Sequence, residues 1–229
     1  MQTRPPIDPS SLTRWRKRLG EAGVEELLAE TIEAAKRANV IKSTSLKRVI
    51  VDTTVMEKAI AHPTDSRLLE RCREHLVKAA ARHGLKLRQN YNREAPRLAN
   101  QIGRYAHAKQ YKRMKKALRT LRSRVGRVMR DVERQLDGVT QQSRATLEEL
   151  IARTKRIMSQ KQKDKNKLYV LHAPEVECLA KGKARKPYEF GVKVSITTTH
   201  KEGLVVGARS MPGSPYDGHW PKHWNRRRS

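Results

Sequence analysis

Up to about residue 160 the apolar positions recur at the spacing of amphipathic helices, interrupted by one short β-branched run; past Asn166 they alternate as strands do. Ser10-Ser11 offers an N-cap for a short helix carrying Leu12, Trp15, Arg16 and Leu19, which stops at Gly20. After Gly23, Val24, Leu27, Leu28, Ile32 and Ala35 predict a second helix to about Ala38, closed by Asn39. Val49-Ile50-Val51 then reads as a buried strand. Thr64-Asp65 opens a helix through Leu68, Leu69, Leu76 and Val77 that Gly84 ends. From Pro96 to about Asp137 one long helix is predicted. Its positions Tyr111, Met114, Leu118, Leu121, Val125, Val128, Val132 and Leu136 step by three and four, a heptad seam. Another helix, about Gln142 to Gln160, carries Leu147, Leu150, Ile151, Ile157 and Met158 and completes an antiparallel hairpin with it. Strand candidates follow at residues 168–171, 176–179, 188–198 and 204–206. In the third, Tyr188, Phe190, Val192, Val194 and Ile196 share one face.

Charge changes the picture of the long helix. The chain's 229 residues carry 51 Lys and Arg against 23 Asp and Glu, a formal charge of +28, which makes a polyanion the default partner and nucleic acid the first choice. Arg97, Arg104, Lys109, Lys112, Arg113, Lys115, Lys116, Arg119, Arg122, Arg124, Arg127, Arg130 and Arg134 coat the seam, with Asp131, Glu133 and Asp137 the only acids. An ordinary solvated helix mixes signs; this one would repel itself in water. Without base-reading signatures, the expected contact is with backbone phosphates, through Lys109, Lys112, Arg113, Lys115, Lys116, Arg119, Arg122, Arg124, Arg127 and Arg130.

Other classes recede. No apolar run approaches the ~18–20 residues of a membrane span, so no membrane partner is expected. Met1-Gln-Thr-Arg-Pro-Pro lacks the apolar core of a signal peptide. Cys72 and Cys178 make neither a disulfide framework nor a zinc pattern and read as reduced cytosolic thiols. With a single Phe, any core is aliphatic and thin. His62, His107, His172 and His200 are too scattered for zinc, and no Gly-rich phosphate loop or Gly-x-Ser-x-Gly occurs. His172-Ala-Pro-Glu-Val-Glu reads as a strand end with a turn, and Asp217-Gly218 as a turn.

One carboxylate stands apart. Asp52 follows Val49-Ile50-Val51 and precedes Thr53 and Thr54. At the C-terminal end of a central strand it can hold a divalent metal against a phosphate; the plainer reading is a cap on a turn or helix.

Several segments together resemble a known family. They are Val51-Asp-Thr-Thr-Val, Pro63-Thr-Asp-Ser-Arg-Leu-Leu, Gly103-Arg-Tyr-Ala-His-Ala-Lys-Gln-Tyr-Lys-Arg, residues 172–184, Pro187-Tyr-Glu-Phe-Gly-Val-Lys-Val-Ser and Pro215-Tyr-Asp-Gly-His. In this order, across about residues 8–219, they resemble bacterial insertion-sequence transposases of the DDE type, with an RNase H-like core. The resemblance implies three carboxylates, Asp, Asp and Glu, holding Mg²⁺ at the scissile phosphate, with Asp52 matching the first. The Asp-x-Gly-Tyr motif of the second and the later helix of the third do not occur here, and Asp217 matches only the turn before them. Trp220-Pro-Lys-His-Trp-Asn-Arg-Arg-Arg-Ser also departs from the family's helix, as a frame change or truncation would, and the resemblance leads one to expect that the family's N-terminal helical DNA-binding region is missing too.

The expected fold class is thus α/β: an incomplete RNase H-like mixed sheet with a long basic α-helical hairpin inserted after the first strand. Its expected parts are a disordered N-terminus (1–9), N-terminal helices with the first core strand (10–56), the basic helical insertion (57–166), a β-rich part (167–219) and an aberrant basic tail (220–229). The expected function is that of a transposase fragment, inactive alone, in the bacterial cytoplasm at the nucleoid. It would bind double-stranded DNA at transposon inverted repeats, hold Mg²⁺ weakly or not at all, and self-associate through the helical insertion. The alternative is a non-catalytic basic nucleic-acid-binding protein.

Overall fold

A computed structural model describes residues 8–180, 184 and 187–215; the expectations for residues 1–7, Asp217 and the tail 220–229 lie outside them. The chain is mixed α/β. Five helices, α1 (Pro9–Arg37), α2 (Asp65–Arg82), α3 (Glu94–His107), α4 (Tyr111–Glu133) and α5 (Gln141–Ser159), accompany four strands, β1 (Val49–Glu57), β2 (Glu177–Ala180), β3 (Tyr188–Thr199) and β4 (Val205–Ser210). The long β3 is central: β1 lines one of its edges, while β2 and β4 pair with the other. Its pairings are antiparallel, so the sheet is not the mixed one expected.

Two compact units divide the chain, one of Met1–Thr54, Lys193–Met211 and Pro215–Ser229, the other of Val55–Val192 and Pro212–Ser214. In the first, Asp8 rather than Ser10 caps α1, accepting from Ser10 N at 2.8 Å. Gly20 sits at φ 67°, ψ −171° inside α1, so the break expected there is a kink within one helix. Beyond the kink, Ile32, Leu28 and Ala35 pack with Ile41, Leu46, Leu204 and Val206 in a small cluster.

The second unit holds the larger core. Thr64 caps α2 by accepting from Arg67 N, and Thr140 caps α5 by accepting from Ser143 N. Leu68, Leu69 and Cys72 of α2, Ile102 of α3, Leu121 and Val125 of α4 and Ile157 of α5 enclose one cluster. Leu76, Val128, Val132, Leu147 and Ile151 enclose the next. The heptad seam is therefore spent inside this bundle, on α2, α3 and α5; its first member, Tyr111, is exposed.

Three further readings are corrected. The single helix from Pro96 to Asp137 is two, parted at Ala108-Lys109-Gln110, where Lys109 takes φ 55°. Residues 168–171 form no strand; Leu168 and Leu171 are buried in the bundle core. On β3 the apolar face is only half-buried and the polar face, Glu189, Lys193, Ser195, Thr197 and Thr199, is buried.

Candidate nucleic-acid interface and the Asp52 strand

The buried seam dictates where α4's cations point. At 100° per residue, Lys112, Lys116, Arg119, Arg127 and Arg130 fall on one side, opposite Leu121, Val125 and Val132, with Lys115 at their margin. All six are exposed. From Lys112 to Arg130 this stripe runs about 27 Å at 1.5 Å per residue. The first turn of α4 contains no acid and carries Lys112 and Arg113 at the positive end of the helix dipole. That arrangement is unfavourable in the free chain and is relieved by an anion.

Not every expected contact is equally available. Arg124 is half-buried: it donates to Glu94 Oε1 at 3.0 and 3.1 Å and stacks over the Tyr91 ring at 5.0 Å. The Glu94 bond raises its already high pKa, so this guanidinium fastens α4 to the start of α3. Arg122 is half-buried, its Nε enclosed without a partner. Arg127 approaches the Tyr91 hydroxyl at 3.4 Å and Arg113 donates to Gln110 Oε1 at 3.1 Å. Lys109 is exposed at the α3–α4 turn. The ion pairs of the cations of α4 and its C-cap among the described residues are Arg124–Glu94 and Arg134–Asp131, which leaves the stripe without carboxylate partners among those residues. Tyr91 and Glu94 escaped the sequence reading because they precede the basic run and are ordinary residues there.

Asp52 lies fourth of nine in β1, mid-strand rather than at a strand end. Val49, Ile50 and Val51 are 38%, 48% and 41% exposed, so the run is not a buried strand but an edge strand. His200 N donates to Arg48 O at 3.2 Å, which sets residue 48 opposite 200 and hence Asp52 beside Ile196 on the half-covered apolar face. The exposed carboxylate accepts from Thr53 N at 2.8 Å. No three His, Cys, Asp or Glu among the described residues come together as metal ligands. The described residues do not fit a two-metal centre: one carboxylate supplies too few oxygens to share between two ions. The other candidates have structural duties. His62 packs edge-on against Phe190, Glu175 pairs with Lys58, and Glu177 accepts from Gly213 N.

Among curated proteins the chain is similar to one from Rhizobium meliloti described as "Uncharacterized protein ORF8 in nfe locus", 54% identical over 106 residues, 46% of this chain. The match spans about half (51%) of that relative's length. No protein-family model matches the chain, and no solved structure matches it. No helix of the described residues is long and apolar enough to cross a membrane.

Proposed function

We propose that this chain binds duplex DNA through the α4 stripe, contacting backbone phosphates rather than base edges. The observation that carries the reading is the exposed set Lys112, Lys115, Lys116, Arg119, Arg127 and Arg130, held on one side of a helix fixed by its buried seam and unmatched by carboxylates among the described residues. A duplex, with one negative charge per about 1.7 Å of helix axis, supplies the regularly spaced charge that would stabilise a self-repelling stripe. The resemblance of residues 8–219 to DDE transposases supports a transposase lineage with an RNase H-like core and a bacterial nucleoid setting. Asp52, exposed and holding only a local bond, suits the surviving first carboxylate of that lineage. A second reading, a non-catalytic basic DNA-binding protein, is favoured by the isolation of Asp52. No catalytic step or Mg²⁺ site is assigned to the chain as it stands.

Fluorescence anisotropy with a labelled duplex tests the binding. If six to ten cations touch phosphate, affinity falls about 10³–10⁵-fold between 50 and 200 mM salt. Joint reversal of Lys115, Lys116 and Arg119 to Glu should abolish binding while leaving the fold intact by circular dichroism. Salt-independent binding, or binding that survives the reversal, refutes the reading. Strand transfer with inverted-repeat ends and Mg²⁺ separates the two lineages of interpretation. Activity lost in Asp52→Asn would mean that residues beyond those described complete a working site.

A further inference from the structure

The segment of α1 before the Gly20 kink has a different surface from the rest of its helix. Between residues 9 and 20 it carries Arg14, Arg16, Lys17 and Arg18 and no acid. Among the described residues the hydrophobic cluster that takes in α1 uses Leu28, Ile32 and Ala35, beyond the kink, and Leu12 is 43% and Trp15 46% exposed. Leu19 folds back over Gly23, where a Cβ would come within 2.6 Å of its Cγ, so that leucine is turned toward its own helix. Ser11, Leu12, Arg14, Trp15 and Arg18 line a shallow groove. At 100° per residue, Trp15 stands between Leu12 on one side and the guanidinium groups of Arg14 and Arg18 on the other.

We propose that this arm is a second nucleic-acid contact that takes unpaired bases: the Trp15 indole stacks on a base while Arg14 and Arg18 hold the adjoining phosphates. An exposed indole offers a π-face to any base, and a duplex keeps its bases stacked out of reach. Arg18, three residues beyond Trp15, and Arg14, four residues before Arg18 on the same flank of the helix, supply the charge that a single strand's backbone requires. A lipid surface would also accept Trp, Leu and Arg. However, the arm has a single aliphatic neighbour beside the indole, a narrow apolar face for insertion among acyl chains. The contact does not depend on the α4 stripe, which takes paired DNA.

The experiment uses the full chain with Trp220→Phe and Trp224→Phe, so that Trp15 is the remaining indole of the three. Titration with a single-stranded oligothymidylate should quench its fluorescence. Trp15→Ala should weaken single-strand affinity about 5–150-fold, the equivalent of about 1–3 kcal/mol per stacked base, and change duplex affinity less than twofold. Trp15→Phe should restore most of the loss, and Trp15→Leu should not. Reversing Lys115, Lys116 and Arg119 should abolish duplex binding and spare the quenching. The proposal fails if the indole is silent to the oligonucleotide, or if Trp15→Ala weakens both DNA forms equally. It also fails if the α4 reversal removes the quenching, or if phosphatidylserine vesicles shift the emission where DNA does not.

Discussion

At the scale of single residues, Asp131 shows how a carboxylate survives inside a basic helix. Its side chain is 9% exposed, Oδ2 accepts from Arg88 N at 2.8 Å, and Oδ1 accepts from Arg134 at 3.0 Å. Burial alone raises its pKa; the Arg88 amide and the Arg134 guanidinium outweigh that, so the carboxyl lies below its ordinary range. A group with a depressed folded pKa contributes stability above its unfolded value, near 3.8, and loses that contribution as pH falls through the folded value. Asp131→Asn should therefore lower the melting temperature at pH 6–7, and the gap to the parent should close below about pH 4. A gap of constant size from pH 7 to pH 3 would mean that the bonds to Arg88 and Arg134, and not the charge, carry the effect. Arg73 shows the opposite economy of charge. Buried to 3%, it satisfies its guanidinium with both oxygens of Glu70, the Asn90 carbonyl and Asn92 Oδ1, tying α2 to the loop before α3.

At the scale of elements, what was legible in the sequence follows from what punctuated it. The bounds of α2 are marked by Thr64 and Gly84, and the alternation of residues 188–198 marks β3 to within a residue; the Thr140 cap that opens α5 lies before the start expected near Gln142. The α3–α4 break carries no such mark, because a lysine, not a glycine, takes the left-handed conformation at position 109. Alternation predicts a strand but not which face is covered. On β3 the apolar side is the half-covered one, since burial depends on which elements pack there. The edge position of Asp52's strand was equally hidden: three β-branched residues look alike at the centre and at the edge of a sheet. Glycines separate the local from the tertiary. At Gly103, inside α3, a Cβ would meet nothing, so Gly103→Ala should stabilise by about 0.5–1 kcal/mol. At Gly191 a Cβ would lie 2.2 Å from the Met56 carbonyl oxygen, so Gly191→Ala must push β1 away from β3. Urea denaturation should show a loss of more than about 2 kcal/mol for the second substitution. Equal effects at the two sites would mean that β1 and β3 do not approach so closely.

At the scale of the whole molecule, a formal charge of +28 acts on folding and on association with opposite signs. The free chain compresses its cations against one another, and added salt shortens the reach of that repulsion from about 30 Å at 0.01 M to about 8 Å at 0.15 M. The ion pairs pull the other way, but most join exposed side chains, such as Arg37–Glu30 and Arg144–Asp137, and such pairs contribute about 0–1 kcal/mol each. Repulsion therefore dominates: the melting temperature should rise as salt goes from 10 to 150 mM, opposite in sign to the fall proposed for duplex affinity. A melting temperature that drops with salt would show that the surface pairs carry more than their exposure allows. The same screening exposes a liability at β1, an edge strand among the described residues that presents the exposed Val49, Ile50 and Val51. Light scattering should detect association of the free chain at high salt, where repulsion no longer keeps edges apart. Val51→Lys should suppress it by placing a charge on that edge, without lowering the melting temperature by more than a few degrees. Association that persists unchanged in Val51→Lys would locate the sticky surface elsewhere, with the exposed Leu12 and Trp15 of the α1 arm the next to be substituted.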